Sequence, residues 1–97
     1  MQRRRYLVAY DISDDKRLRR VMDVSKDFGR RLQYSVFLCD LDPIERVLLR
    51  SELRREMDEH VDRICIIDLG AVESLNADTF EFLGRRPGLP QRGARIL

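Results

Sequence analysis

Ninety-seven residues make one small domain, enough chain for a single core with little to spare. A formal charge of +2 does not by itself mark a nucleic-acid binder, but all except Lys16 and Lys26 of the nineteen basic residues are arginine, whose planar fork suits phosphate oxygens. No stretch is long and apolar enough to span a membrane, and no cluster of Cys and His completes a zinc site.

Residues 1–5 read as a basic leader into a strand rather than a secretion signal. Cys39 and Cys65 lie in apolar runs, as buried thiols of a reduced, cytoplasmic protein would. The first strand, over residues 3–12, is β-branched and aromatic and delivers one carboxylate, Asp11, to its C-terminal end. A helix follows at once over 14–28. Ser13 can cap it, Asp14 and Asp15 suit the positive end of its dipole, and Leu18, Val21, Met22, Ser25 and Phe28 share its buried face. Gly29 reads as a left-handed helix end.

Residues 31–41 predict two strands joined by a tight bend near 34–36. Asp42 and Pro43 open a second helix as cap and first turn, with Ile44, Val47, Leu48, Leu53 and Met57 as its apolar stripe. A strand over 63–69 closes at Gly70, and the alternation over 79–83 predicts a further strand. The chain therefore divides into a domain at 1–83 and a basic tail at 84–97, whose last four residues suit a short edge strand on a partner.

The order βαββαβ with added C-terminal β material is a ferredoxin-like α+β arrangement. Two helices cover one sheet face, and in a monomer the other face should be polar. Here both faces are apolar: Leu7 and Ala9 oppose Tyr6 and Val8, and Cys65 and Ile67 oppose Ile64 and Ile66. That predicts a homodimer with sheets packed face to face. Two copies of Asp11 then make a carboxylate pair of the kind Mg²⁺ or Mn²⁺ prefers, with Arg17, Arg20 and Arg31 as phosphate-binding candidates.

Residues 10–17 (YDISDDKR), 29–37 (GRRLQYSVF) and 80–84 (FEFLG) together resemble the small CRISPR-associated adaptation protein (Cas-two) family, across almost the whole chain. The resemblance implies a homodimer in which the C-terminal strand extends the partner's sheet. It also implies membership of the spacer-acquisition complex, where the dimer bridges the integrase (Cas-one) and lies along duplex DNA. Some members resemble metal-dependent nucleases acting on single-stranded RNA or double-stranded DNA, and others are inert scaffolds. Carried over by residue, Asp11 matches the metal-binding acid with Tyr10 beside it as a catalytic candidate. Arg20 and Arg31 match basic positions near that site, and Ser35 and Phe37 match the block after the bend. One family arginine falls at Leu18, with Arg17 adjacent.

The alternative function is a stand-alone, toxin-like endoribonuclease of the same dimeric fold. An RNA-recognition module is disfavoured, because the strands lack exposed aromatics flanking glycine.

Overall fold

The computed structural model describes residues 2–76 and 79–85. Strand β1 (Arg4–Asp11) leads into helix α1 (Asp15–Phe28). Strands β2 (Arg30–Gln33) and β3 (Val36–Leu41), helix α2 (Pro43–Glu56), strand β4 (Arg63–Ala71) and a 3-10 turn at Val72–Ser74 follow. The strands lie in the order β2-β3-β1-β4 with every neighbouring pair antiparallel, so the βαββαβ expectation holds. The bend between β2 and β3 is a turn at Tyr34 and Ser35.

The expected strand at 79–83 does not form among the described residues. An extended segment acquires a ladder only beside another strand's free edge. Phe80 and Phe82 instead stack on each other with ring centroids 6.1 Å apart. The edge strand expected at 94–97, and all but the first two residues of the tail, lie outside the described residues.

Local chemistry sets the helix ends. Asp14 rather than Ser13 caps α1, its Oδ2 accepting the Arg17 N–H at 2.9 Å. On α2, Asp42 and Glu45 form a reciprocal capping box around Pro43. Gly29 is not left-handed: its φ of −162° and ψ of −160° are extended. Glycine is needed there for room, because a Cβ would stand 2.2 Å from the Leu38 carbonyl oxygen and 2.5 Å from Cys39 Sγ. The end of α1 can therefore lie directly on β3.

The core fills the face under the helices. Tyr6, Val8 and Tyr10 of β1, Phe37 and Cys39 of β3, and the partly buried Ile64 and Ile66 of β4 pack against Val21, Val24, Leu49 and Leu53. Full burial of such a side chain stabilises by about 1.5–3 kcal/mol. The stripe expected on α2 is corrected. Leu49 and Leu53 are enclosed and Met57 packs beside them, whereas Ile44, Val47 and Leu48 are exposed. A spacing of four along 49, 53 and 57 gives a narrow contact line, which the 44, 47, 48 positions miss.

The opposite face is also apolar, as expected. Leu38 is enclosed, Leu7, Ala9, Val36 and Leu69 are half-buried, and Cys65 and Ile67 are exposed. Cys65 is thus not the buried thiol the sequence predicts, because it sits on the uncovered face of β4. Cys39 is buried, and desolvation pushes its thiol up to about 12. At one end of this uncovered face, Arg5 Nε and Nη2 grip both oxygens of Asp40 at 2.7 and 2.9 Å. Arg5 is largely shielded from water, so this two-pronged bond ties β1 to β3 in a low-dielectric setting.

Candidate nucleic-acid and metal site

β1 ends on Asp11, an exposed carboxylate. Strand alternation puts it on the face of Leu7 and Ala9, away from the helices. Among the described residues nothing hydrogen-bonds or ion-pairs with it. Directly across the ladder on β4 stands Arg63, also exposed and without a carboxylate partner among the described residues. Opposed residues of an antiparallel pair share a face, with Cβ atoms about 4.5–5.5 Å apart. An acid and an arginine therefore leave the same face at the end of the β1–β4 ladder without forming an ion pair.

The residue before Arg63 is anchored from behind. Asp62 Oδ2 accepts from Arg17 Nε and from the Asp58 N–H, both at 2.8 Å, and Oδ1 accepts from Arg17 Nη2 at 3.2 Å. The Asp62 carboxylate is wholly out of solvent. The Arg17 guanidinium beside it holds its carboxyl below the usual carboxylate range, and the Asp58 N–H works in the same direction. Arg17 was a phosphate-binding candidate from sequence. Its fork faces Asp62, with Asp14 Oδ2 a further 3.8 Å contact, so it joins the start of α1 to the start of β4.

The other candidates are dispersed. Tyr10 and Phe37 lie in the core. Tyr10 is 6% exposed and Phe37 is fully enclosed, and their rings stack 6.3 Å apart at 22°. Burial raises the Tyr10 hydroxyl above its ordinary value of 10.0, and the nearby Arg31 charge works the other way. That hydroxyl is enclosed without a hydrogen-bond partner among the described residues.

Arg31 lies over the rings of Tyr34 and Phe37, 5.5 and 5.6 Å from their centroids, with its Nη2 against Met22 Sδ. Its ladder partner is Phe37, which places it on the helix side of the sheet, opposite to Asp11. Arg20 lies on the outer surface of α1, lining a shallow depression with Lys16, Arg19, Asp15 and Asp23. At the bend, the Ser35 carbonyl accepts the Tyr10 N–H at 3.1 Å, pinning the turn to the end of β1.

As a metal ligand, Asp11 has the right chemistry and too little company. It offers hard carboxylate oxygens, but among the described residues no three His, Cys, Asp or Glu side chains converge. Mg²⁺ keeps several waters and takes one or two carboxylates, so the donor set fits once a second carboxylate is supplied by another copy.

Sequence reasoning missed Asp62 and Arg63. Aligning residues 63–69 antiparallel to the first strand could have placed Arg63 opposite Asp11. Nothing local to Asp62 signals that it will be buried under Arg17, because that contact joins residues 45 positions apart.

Comparison with known proteins agrees with this architecture. A family model described as CRISPR associated protein Cas2 matches residues 4–76. A Rhodospirillum rubrum protein named CRISPR-associated endoribonuclease Cas2 1 is 38% identical over 92 residues, covering 95% of this chain and 89% of that protein. A Thermus thermophilus protein named CRISPR-associated endonuclease Cas2 2 is 45% identical over 78 residues, 77% of this chain and 84% of that one. The fold matches the crystal structure of Streptococcus pyogenes Cas2 at pH 6.5 with a TM-score of 0.65 and 32% identity, covering 82% of this chain and 99% of that chain. It matches a hypothetical protein from Thermus thermophilus with a TM-score of 0.75 and 38% identity, covering 88% and 95%. With its ferredoxin-like sheet, the Asp11 terminus of β1 and a family match over most of its length, this chain belongs to the CRISPR-associated Cas2 family.

Proposed function

We propose that the chain is a cytoplasmic spacer-acquisition protein: a homodimer that binds duplex DNA, bridges the integrase, and carries a metal-dependent phosphodiesterase centre at Asp11. The observation that carries this reading is the second apolar face, Leu7, Ala9, Leu38, Cys65, Ile67 and Leu69, with Asp11 at its end. At about 25 cal/mol per Å², covering a few such side chains per protomer contributes several kcal/mol. A two-fold dimer needs only one self-complementary surface to do so.

The second copy would supply the second Asp11 carboxylate, and the pair would hold Mg²⁺ or Mn²⁺. The chemistry such an ion supplies is polarisation of a phosphoryl oxygen and easier ionisation of water. The chain's own part is to ligate through Asp11 and to bind the phosphate backbone through exposed arginines such as Arg20 on α1. Several relatives are named endoribonucleases and one an endonuclease, so single-stranded RNA and duplex DNA are the two substrates to assay. Those names also favour the second reading, a stand-alone endoribonuclease. Co-purification with an integrase and a stable duplex complex distinguish the first.

Sedimentation equilibrium at micromolar concentration should report a dimer. Cleavage in Mg²⁺ should vanish in EDTA and in Asp11→Ala, with dimer and duplex binding kept. A well-folded monomer would remove the paired-acid centre, and equal turnover in EDTA would remove the metal.

A further inference from the structure

We propose that Arg63 is a phosphate-holding residue of the Asp11 site, gripping a backbone phosphate of the bound nucleic acid beside that carboxylate. The inference rests on reading Asp11 as the acid of a phosphodiester site, and adds to it a cation from a different strand.

The register carries the argument. Arg63 is directly opposite Asp11, so the two side chains leave the sheet on the same face at the same end of the ladder. Without a bound metal the Asp11 carboxylate repels a phosphodiester, and a guanidinium on the same face offsets that repulsion. Arg30 shares this face but lies on β2, two strands away from β1 and opposite Leu38 rather than Asp11, and the nearer arginines are engaged elsewhere. Arg4 and Arg5 are held by Asp68 and Asp40, Arg17 by Asp62, and Arg31 lies over two rings on the helix side. Arg63 has no acidic partner among the described residues and is exposed.

Its backbone is also fixed in advance. The buried Asp62 carboxylate, held by Arg17 and the Asp58 N–H, secures the residue immediately before it. A guanidinium on a fixed base, able to give two parallel N–H bonds, is suited to a non-bridging phosphate oxygen pair.

The test is a titration of fluorescein-labelled duplex DNA and single-stranded RNA by anisotropy in EDTA, where no cleavage interferes, over about 50–300 mM salt. Wild type, Arg63→Gln, Arg63→Lys and Arg63→Gln in an Asp11→Asn background are compared. Arg63→Gln should weaken binding about tenfold at low salt and lower the log–log salt slope by about one for each Arg63 in contact. Arg63→Lys should restore the slope but not the whole affinity, because the charge returns without the fork. The Arg63→Gln effect should persist in the Asp11→Asn background.

Unchanged affinity and slope in Arg63→Gln overturn the inference. So does an effect that disappears when Asp11 is neutralised, which would make Arg63 a counterion only. A loss that accompanies dissociation of the dimer or a lower melting temperature overturns it as well. Wild-type protein that binds neither nucleic acid instead sinks the underlying reading of the site, which separates that failure from failure at Arg63 alone.

Discussion

Arg17 on α1 and Asp62 before β4 meet through two hydrogen bonds, 2.8 and 3.2 Å, around a carboxylate fully shielded from water. The contact crosses from the start of a helix to the start of the strand that faces Asp11. It links the capping turn at Asp14 to the ladder position of Arg63.

The pairing makes stability depend on pH in a defined direction. The Arg17 hydrogen bonds lower the Asp62 carboxyl below its ordinary 3.8. A depressed carboxyl adds stability that is complete above the unfolded value and is lost as pH falls through the folded one. The melting temperature of wild type should therefore exceed that of Asp62→Asn at neutral pH, and the two should converge in strong acid. A gap that stayed constant down to about pH 2 would show that the charge contributes nothing.

Gly29→Ala should be among the most damaging single-methyl changes in the chain. The new Cβ would sit 2.2 Å from a backbone oxygen on β3, and backbone cannot swing aside as a flexible side chain does. Overpacking of this kind costs about 1–3 kcal/mol. In a domain this size, that corresponds to about 4–8 °C in melting temperature per kcal/mol. Calorimetry checks it, and an unchanged transition would mean that α1 can shift off β3 freely.

The two thiols should react differently. Burial pushes Cys39 up to about 12, so it should resist iodoacetamide at pH 8 in the folded protein. Cys65 lies exposed on the second sheet face and should alkylate readily in dilute protein. Raising the concentration should slow Cys65 alone if that face meets another copy, with mass spectrometry following each site. A Cys65 rate independent of concentration would argue against pairing through this face.

Asp42→Ala should loosen the start of α2. It removes the acceptor for the Glu45 N–H and breaks the capping box, a loss of about 0.5–2 kcal/mol. Glu45 keeps its 2.8 Å contact with Arg3, so helix content by circular dichroism should change less than the unfolding midpoint.

The sheet was readable from sequence because its strands declare themselves by alternation and each helix begins on an acid with cap geometry. The register did not follow, because irregularities between Arg5 and Tyr6 and between Arg31 and Gln33 shift the ladders in a way strand lengths do not record. What misled was the angle at which α2 lies. Ile44, Val47 and Leu48 satisfy a helical period as well as Leu49 and Leu53 do, and only the docked helix decides between them. Gly29 was correctly seen as the end of α1, but for the wrong reason, since a need for space leaves no mark on a single residue.

The candidate site was half visible. Asp11 stands out as a lone acid ending an apolar strand. Tyr10 and Phe37 looked equally prominent because an aromatic beside a functional residue and an aromatic in a core are spelt alike. Arg17 looked like a phosphate ligand because its partner, Asp62, is distant in the chain.

The leader Arg3-Arg4-Arg5 looks from composition like a sticky cationic arm. Folded, its three side chains are fastened to Glu45 of α2, Asp68 of β4 and Asp40 of β3, a rivet through three neighbouring elements. Trimming those arginines to curb indiscriminate adhesion to polyanions would unpick the seam around β1 and leave three acids unmatched. The arginines without an acidic partner among the described residues, Arg63 among them, are carried elsewhere on the molecule.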